Sequence, residues 1–220
     1  MSEFRHYRPN NFPPIVKNLI IINVLVWLAQ LIFDKQGGEF TEALTNKIAL
    51  FPLGTDQFKP YQIATHMFAH ASYDPMTGRV IIFHILFNML VLWMFGRILE
   101  NVWGPKRFLL FYLICGIGAA AAHLGVQYFT GGYSAAVGAS GALMGVMVAF
   151  AYLFPNTELF LMFIPIPIKA KWAVVAYVVY DLVFGIYGSD NIAHFAHLGG
   201  AITGFILVLI WNKTNRRTFY

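Results

Sequence analysis

The sequence predicts an all-α membrane protein, a six-transmembrane-helix bundle with a long first loop. Two observations predict it. Of 220 residues, 58% are apolar and only 11% charged, and the mean hydropathy is +0.62, whereas soluble domains carry about a quarter charged residues. Six apolar runs also come close to or reach the roughly 17 to 25 residues that cross hydrocarbon as helix. They divide the chain into a tail at 1–14, a membrane domain at 15–211 and a tail at 212–220, with 34–79 as the long first loop.

The first run, Ile15 to Phe33, has Arg5, Arg8 and Lys17 at its start. It is longer than the core of a secretory signal and no small-x-small cleavage site follows, so a retained helix is expected. The first loop mixes polar residues with Phe51-Pro52-Leu53, Phe58 and the apolar side chains of Tyr61 to Ala69, which predicts short helices at the membrane interface. The later runs are Val80 to Leu99, Phe108 to Phe129, Ala135 to Phe154, Trp172 to Tyr187 and Ile192 to Trp211. Between the fourth and fifth, Leu159 to Ile168 is broken by Pro165 and Pro167 and is too short to span, so it is expected to skirt the interface. Cys115 is the single cysteine, which excludes an intramolecular disulfide, and its apolar neighbours predict a buried thiol in the third helix.

The net charge of +5 and pI near 9.3 raise the question of nucleic acid. The placement of the charges answers it. With the amino terminus inside, eleven of the fifteen basic residues fall on one side, among them Arg97, Lys106, Arg107, Lys169, Lys171 and Lys213. The other side receives Lys35, Lys47, Lys59 and Arg79 only. The positive-inside rule then puts both termini in the cytoplasm, so the basic excess is a topology signal that carries little information about partners; the apolar runs imply the lipid bilayer, and nucleic acid is not expected.

Polar residues inside apolar runs mark functional sites. His84 stands four residues after the start of the second run, Ser140 five after the start of the fourth and His197 five after the start of the sixth. These three runs enter from the same outer face, so the three side chains share one layer about 6 to 8 Å down. A serine and a histidine in one layer are a nucleophile and its base. Asn88 follows His84 at i+4 on the same helical face, and two donors there can clamp the oxyanion of an acyl-transfer intermediate. Gly141-x-x-x-Gly145 and Gly200-x-x-x-Gly204 give the fourth and sixth helices small faces that allow close approach.

His84-x-x-x-Asn88, Gly138-Ala139-Ser140-Gly141 and Ala196-His197-x-x-Gly200-x-x-x-Gly204, in this order, resemble the rhomboid intramembrane serine proteases. Phe95-Gly96 with Glu100 and Trp103-Gly104, and Thr65-His66 with His70, are similar to the family as well. The resemblance covers nearly all of Pro14 to Trp211. It implies hydrolysis of a peptide bond in or near the transmembrane helix of a membrane-protein substrate by a serine–histidine dyad without a carboxylate. Ser140 would be the nucleophile and His197 the general base and then acid. Asn88, His84 and the Ser140 backbone N–H would form the oxyanion hole, with Gly138, Gly141, Met144, Gly200 and Gly204 shaping the site. No cofactor and no metal are implied. The alternative is a catalytically inactive relative that binds transmembrane clients. By the same resemblance the chain is expected as a multi-pass protein of a bacterial inner membrane, its oligomeric state open.

Three features depart from the family pattern. Tyr61-Gln62 replaces a Trp-Arg pair in the first loop, Ala71 to Phe83 is longer than usual, and Met144 occupies the position of an aromatic that stacks on the catalytic imidazole. His66 with His70, and His194 with His197, have spacings that can ligate metal. The resemblance instead gives His66 and His70 structural hydrogen bonds. His123 is expected as a satisfied buried group and His6 as a solvated tail residue. Asp181, the one acid within a run, could orient His197. The dyad of the family argues against that, so a structural hydrogen bond or a place with Phe184 at a gate for substrate between the second and fifth helices is expected.

Overall fold

The computed structural model describes residues 9–36, 43–74, 76–160, 166–188 and 193–214. His6 and the 161–165 segment with Pro165 lie outside them.

The first helix, α1 (Pro14–Gln36), starts with proline at a position where a missing N–H costs nothing. The next two amides are orphan donors of the first turn. Glu100 accepts both, from Ile15 at 2.9 Å and Val16 at 2.8 Å. The first loop carries short helices, as expected: α2 (Leu44–Ile48) and α3 (Gln62–Thr65), the latter running into a 3₁₀ turn at His66–Phe68. Gln62 takes over the anchoring. It is fully buried, its Oε1 accepting from the amides of Phe51 and Lys59 and its Nε2 donating to the carbonyls of Lys47 and Gln57.

The second apolar run forms α4 (Phe83–Val91) and α5 (Arg97–Trp103), joined without a break through a π turn at Leu92–Gly96. Then come α6 (Pro105–Thr130), α7 (Ser140–Leu153), α8 (Ala170–Tyr187) and α9 (His194–Thr214). A two-residue ribbon, β1 (Glu158–Leu159) antiparallel to β2 (Ile168–Lys169), closes the connection before α8. Among the described residues, five helical segments are long and apolar enough to cross a membrane: Pro14–Asp34, Phe83–Trp103, Pro105–Thr130, Ala170–Tyr187 and His194–Lys213. They make the chain an integral, multi-pass, all-α membrane protein.

The fourth run needs correction. Its helix begins at Ser140, not Ala135, and its 14 residues rise about 21 Å, short of the roughly 30 Å of hydrocarbon. The five residues before it are diverted. Ala136 and Leu50 exchange two amide-to-carbonyl bonds of 2.9 Å, and the Gly138 amide donates to the His66 carbonyl at 2.9 Å. The chain reaches Ser140 through a non-helical segment pinned to the first loop.

The core lies where α6, α7 and α9 meet, and glycine sets their spacing. A Cβ on Gly200 would stand 1.8 Å from the Gly141 carbonyl oxygen, and one on Gly204 2.5 Å from the Gly145 Cα. On the α6 side, a Cβ on Gly199 would meet the Ala122 methyl at 2.3 Å. Cys115 is buried here as a free thiol among apolar residues. By contrast α8 packs on α7 and α9 by one side only and leaves Val175, Val179, Leu182 and Val183 exposed, as a helix facing lipid tails would.

Candidate active site

Ser140 is the first residue of α7 and His197 the fourth of α9. Contact of these helices through the glycine faces brings the His197 Nε2 to 2.8 Å from the Ser140 Oγ. Both helices begin at the site, so the two residues and His84 sit in first turns and not a full turn inside, where the hydropathy runs place them. With Asn88 they line one cavity.

The other face of the His197 ring determines its tautomer. Asp181 on α8 places its Oδ1 at 3.0 Å from His197 Nδ1 and at 2.7 Å from His194 Nδ1. A carboxylate only accepts, so both Nδ1 atoms carry hydrogen. The Nε2 of His197 is left with its lone pair toward the serine hydroxyl. Asp181 is completely buried, and His194 and His197 nearly so. The structural hydrogen bond expected of Asp181 is present, and one of its partners is the histidine that touches Ser140, the orienting position the family dyad argued against.

His84 is oriented in the same way by a different partner. The Ala71 amide donates to His84 Nδ1 at 3.1 Å, which leaves Nε2–H as the donor. Its target is fixed by Gly138, whose φ of +126° few side chains adopt and where a Cβ would lie 3.0 Å from His84 Nε2 and 3.4 Å from Ser140 Oγ. His84 Nε2 thus faces the segment entering Ser140. Asn88 sits one turn along, donating one amide hydrogen to the His84 carbonyl at 2.8 Å. The longer Ala71 to Phe83 stretch thus supplies the contact that aims His84.

These groups line a cavity of about 500 Å³ between α4, α7, α8 and α9, with His84, Asn88, Ser140, Tyr177, Asp181 and His197 on its walls. A smaller recess of about 90 Å³ continues from Ser140 and Asn88 toward Met144, Met147 and Tyr177. Met144 is buried in α7 and lines that recess, while the aromatic neighbour of the His197 ring is Tyr177 of α8, with ring centroids 6.2 Å apart. Tyr177 and the Ala71 amide are the groups sequence reasoning missed, and His194 was weighed only as a metal ligand. Only His194 carried a signal, at i−3 from His197 on one helical face.

The remaining expected residues stay outside the cavity. His66 donates from Nδ1 to the Gln62 carbonyl at 2.9 Å and His70 bonds the Phe68 carbonyl at 3.3 Å, both buried in the first loop. Burial lowers the basicity of both, to a pKa of about 4 for His66 and, with the nearby His84 adding, about 3 for His70. His123 bonds Ser134 and Gln127 on the far side of α9. Phe184 stacks near Tyr180 and His194 and not over Ser140.

A hydroxyl bonded to an imidazole of defined tautomer, with donors converging beside it in a walled cavity, can carry nucleophilic acyl transfer. Comparison with known proteins places the chain in a family. A family profile described as Rhomboid domain matches residues 57–213. The presenilin-associated rhomboid-like protein, mitochondrial, of Bos taurus is 34% identical over 138 residues, 60% of this chain and 37% of the relative. The rhomboid protease GluP of Bacillus subtilis (strain 168) is 35% identical over 132 residues, 60% of this chain and 24% of the relative. Rhomboid protein 1, mitochondrial, of Saccharomyces cerevisiae is 32% identical over 125 residues, 56% of this chain and 36% of the relative. The match thus spans well under half the length of each of these relatives.

Proposed function

The chain belongs to the rhomboid family, and from that premise we propose that it is a serine endopeptidase that cuts a peptide bond in or near the transmembrane helix of membrane-protein substrates. The observation that carries this reading is the 2.8 Å bond between Ser140 Oγ and His197 Nε2. The Bacillus relative is named a protease.

In the reaction, Ser140 Oγ attacks the scissile carbonyl carbon as its proton passes to His197 Nε2. The tetrahedral oxyanion is held by the His84 Nε2–H, the second amide hydrogen of Asn88 and the Ser140 backbone N–H. Collapse breaks the C–N bond, and His197 returns the proton to the leaving amine. Water then adds to the Ser140 ester by the same route and releases the acid. Donors fixed in place before charge develops cost no reorganisation, which is why they accelerate the step. The route needs water, and the asymmetry of the basic residues supports a topology with both termini on the cytoplasmic side and the cavity toward the opposite face.

The test is to incubate the detergent-purified chain and its Ser140→Ala variant with a single-span substrate carrying small residues at its outer juxtamembrane end. Fragments seen by mass spectrometry with the native chain alone support the protease. Stable capture of the uncut substrate by both proteins would favour a client-binding relative instead.

A further inference from the structure

The family pattern is a dyad, but this chain places a third group on the imidazole. Resting on the protease reading above, we infer that Asp181 and His194 are positioning residues for His197, making the site a serine–histidine–aspartate relay branched at the carboxylate. The geometry is complete from end to end. Asp181 Oδ1 lies 3.0 Å from His197 Nδ1, and His197 Nε2 lies 2.8 Å from Ser140 Oγ. All three members of the branch are buried, with Asp181 at 0%, His194 at 3% and His197 at 6% exposure, so water offers Nδ1 little competition.

The branch explains why the carboxylate stays in place. Asp181 stands on α8, the helix held by one side only, and a single bond across such an interface would leave its rotamer loosely set. His194 lies one turn before His197 on α9 and donates to the same Oδ1 at 2.7 Å, so two donors from one helix fix one oxygen from another. The second oxygen, Oδ2, is buried with no hydrogen-bond partner among the described residues.

During attack the Ser140 proton moves to Nε2 and later to the leaving amine. The Nδ1 proton stays on His197 throughout, bonded to Asp181, and no proton crosses to the carboxylate. Asp181 therefore acts by holding the tautomer and stabilising the imidazolium, which predicts a loss in turnover without a loss in substrate binding.

The experiment uses the full chain in detergent with Asp181→Asn, Asp181→Glu and His194→Ala, the native chain and Ser140→Ala beside them. The relay predicts a fall in kcat of about 10²-fold or more for Asp181→Asn, with KM within about twofold. It predicts a smaller fall for His194→Ala and partial recovery in Asp181→Glu. In parallel, ¹⁵N NMR of labelled histidine, assigned with His197→Gln, should show His197 protonated at Nδ1 in the native chain and not in Asp181→Asn. Native kcat in Asp181→Asn, or a His197 tautomer that does not depend on Asp181, would overturn the inference. So would a stoichiometric zinc found in the purified chain, since the three ligating atoms lie within 4.8 Å of one another. If the native chain makes no Ser140-dependent fragment, the protease reading fails, yet the tautomer measurement still decides what Asp181 does.

Discussion

A side chain on Gly200 of α9 would begin 1.8 Å from the carbonyl oxygen of Gly141 of α7, so the two helices touch backbone to backbone one residue beyond Ser140 and one turn beyond His197. The serine–histidine bond depends on this contact. Gly200→Ala must push α9 away by more than an ångström, beyond the reach of a 2.8 Å bond. Cleavage should fall at least about 10²-fold, with stability reduced by about 1–3 kcal/mol from overpacking. Gly125→Ala is the control, since a methyl group there would meet nothing within 4 Å. It should melt and cleave as the native chain does.

His84→Ala and Asn88→Ala each remove a donor proposed for the oxyanion. Each should lower kcat about 10² to 10³-fold and leave KM within a few-fold, because the donors act on charge that exists only in the transition state. Steady-state kinetics on a single-span substrate separate the two constants. An increase in KM at constant kcat would place these residues in substrate binding instead.

The glycine faces, the serine and the histidine were legible in the sequence because each is an exception in an apolar run. Asp181 was legible as an exception and as a possible partner of His197, a reading set aside because the family uses a dyad. Helix α8 is apolar nearly all round, so its periodicity does not say which way it is turned against α9. The start of α7 was misplaced for a related reason. Ala135, Ala136 and Val137 are as apolar as a helix, and the pairing of Ala136 with Leu50 in the distant first loop is not visible in their composition. The π turn at Leu92–Gly96 was likewise silent, since it changes backbone bonding without changing hydropathy.

The first loop holds the segment that enters Ser140, and Gln62 holds the loop. Gln62→Ala would leave the amides of Phe51 and Lys59 and the carbonyls of Lys47 and Gln57 without this partner. A loss of about 1–3 kcal/mol is expected for buried groups so orphaned, read as a lower melting temperature. Restoration by added substrate would show that the loop and the site are coupled.

Acid should loosen the same loop. The pKa values of His66 and His70, about 4 and about 3 in the folded chain, lie below the unfolded value near 6.5. Above pH 6.5 both states bind no proton here and stability is unaffected. As pH falls from about 6.5 toward 4 and 3, the unfolded chain takes up protons that the folded loop refuses, and stability falls. Melting temperature should therefore drop across that window. The His70→Gln variant should lose less between pH 7 and pH 4.5 than the native chain, and equal losses would exclude His70 as a source.

The central claim is that His197 activates Ser140, and covalent labelling reads it without a natural substrate. A fluorophosphonate forms a phosphorus–oxygen bond with an activated serine and expels fluoride. Intact-mass spectrometry and peptide mapping of the purified chain should locate one adduct, on Ser140, absent from Ser140→Ala and slowed at least about 10²-fold in His197→Ala. Equal labelling of the native chain and His197→Ala, or an adduct on another serine, would contradict the account.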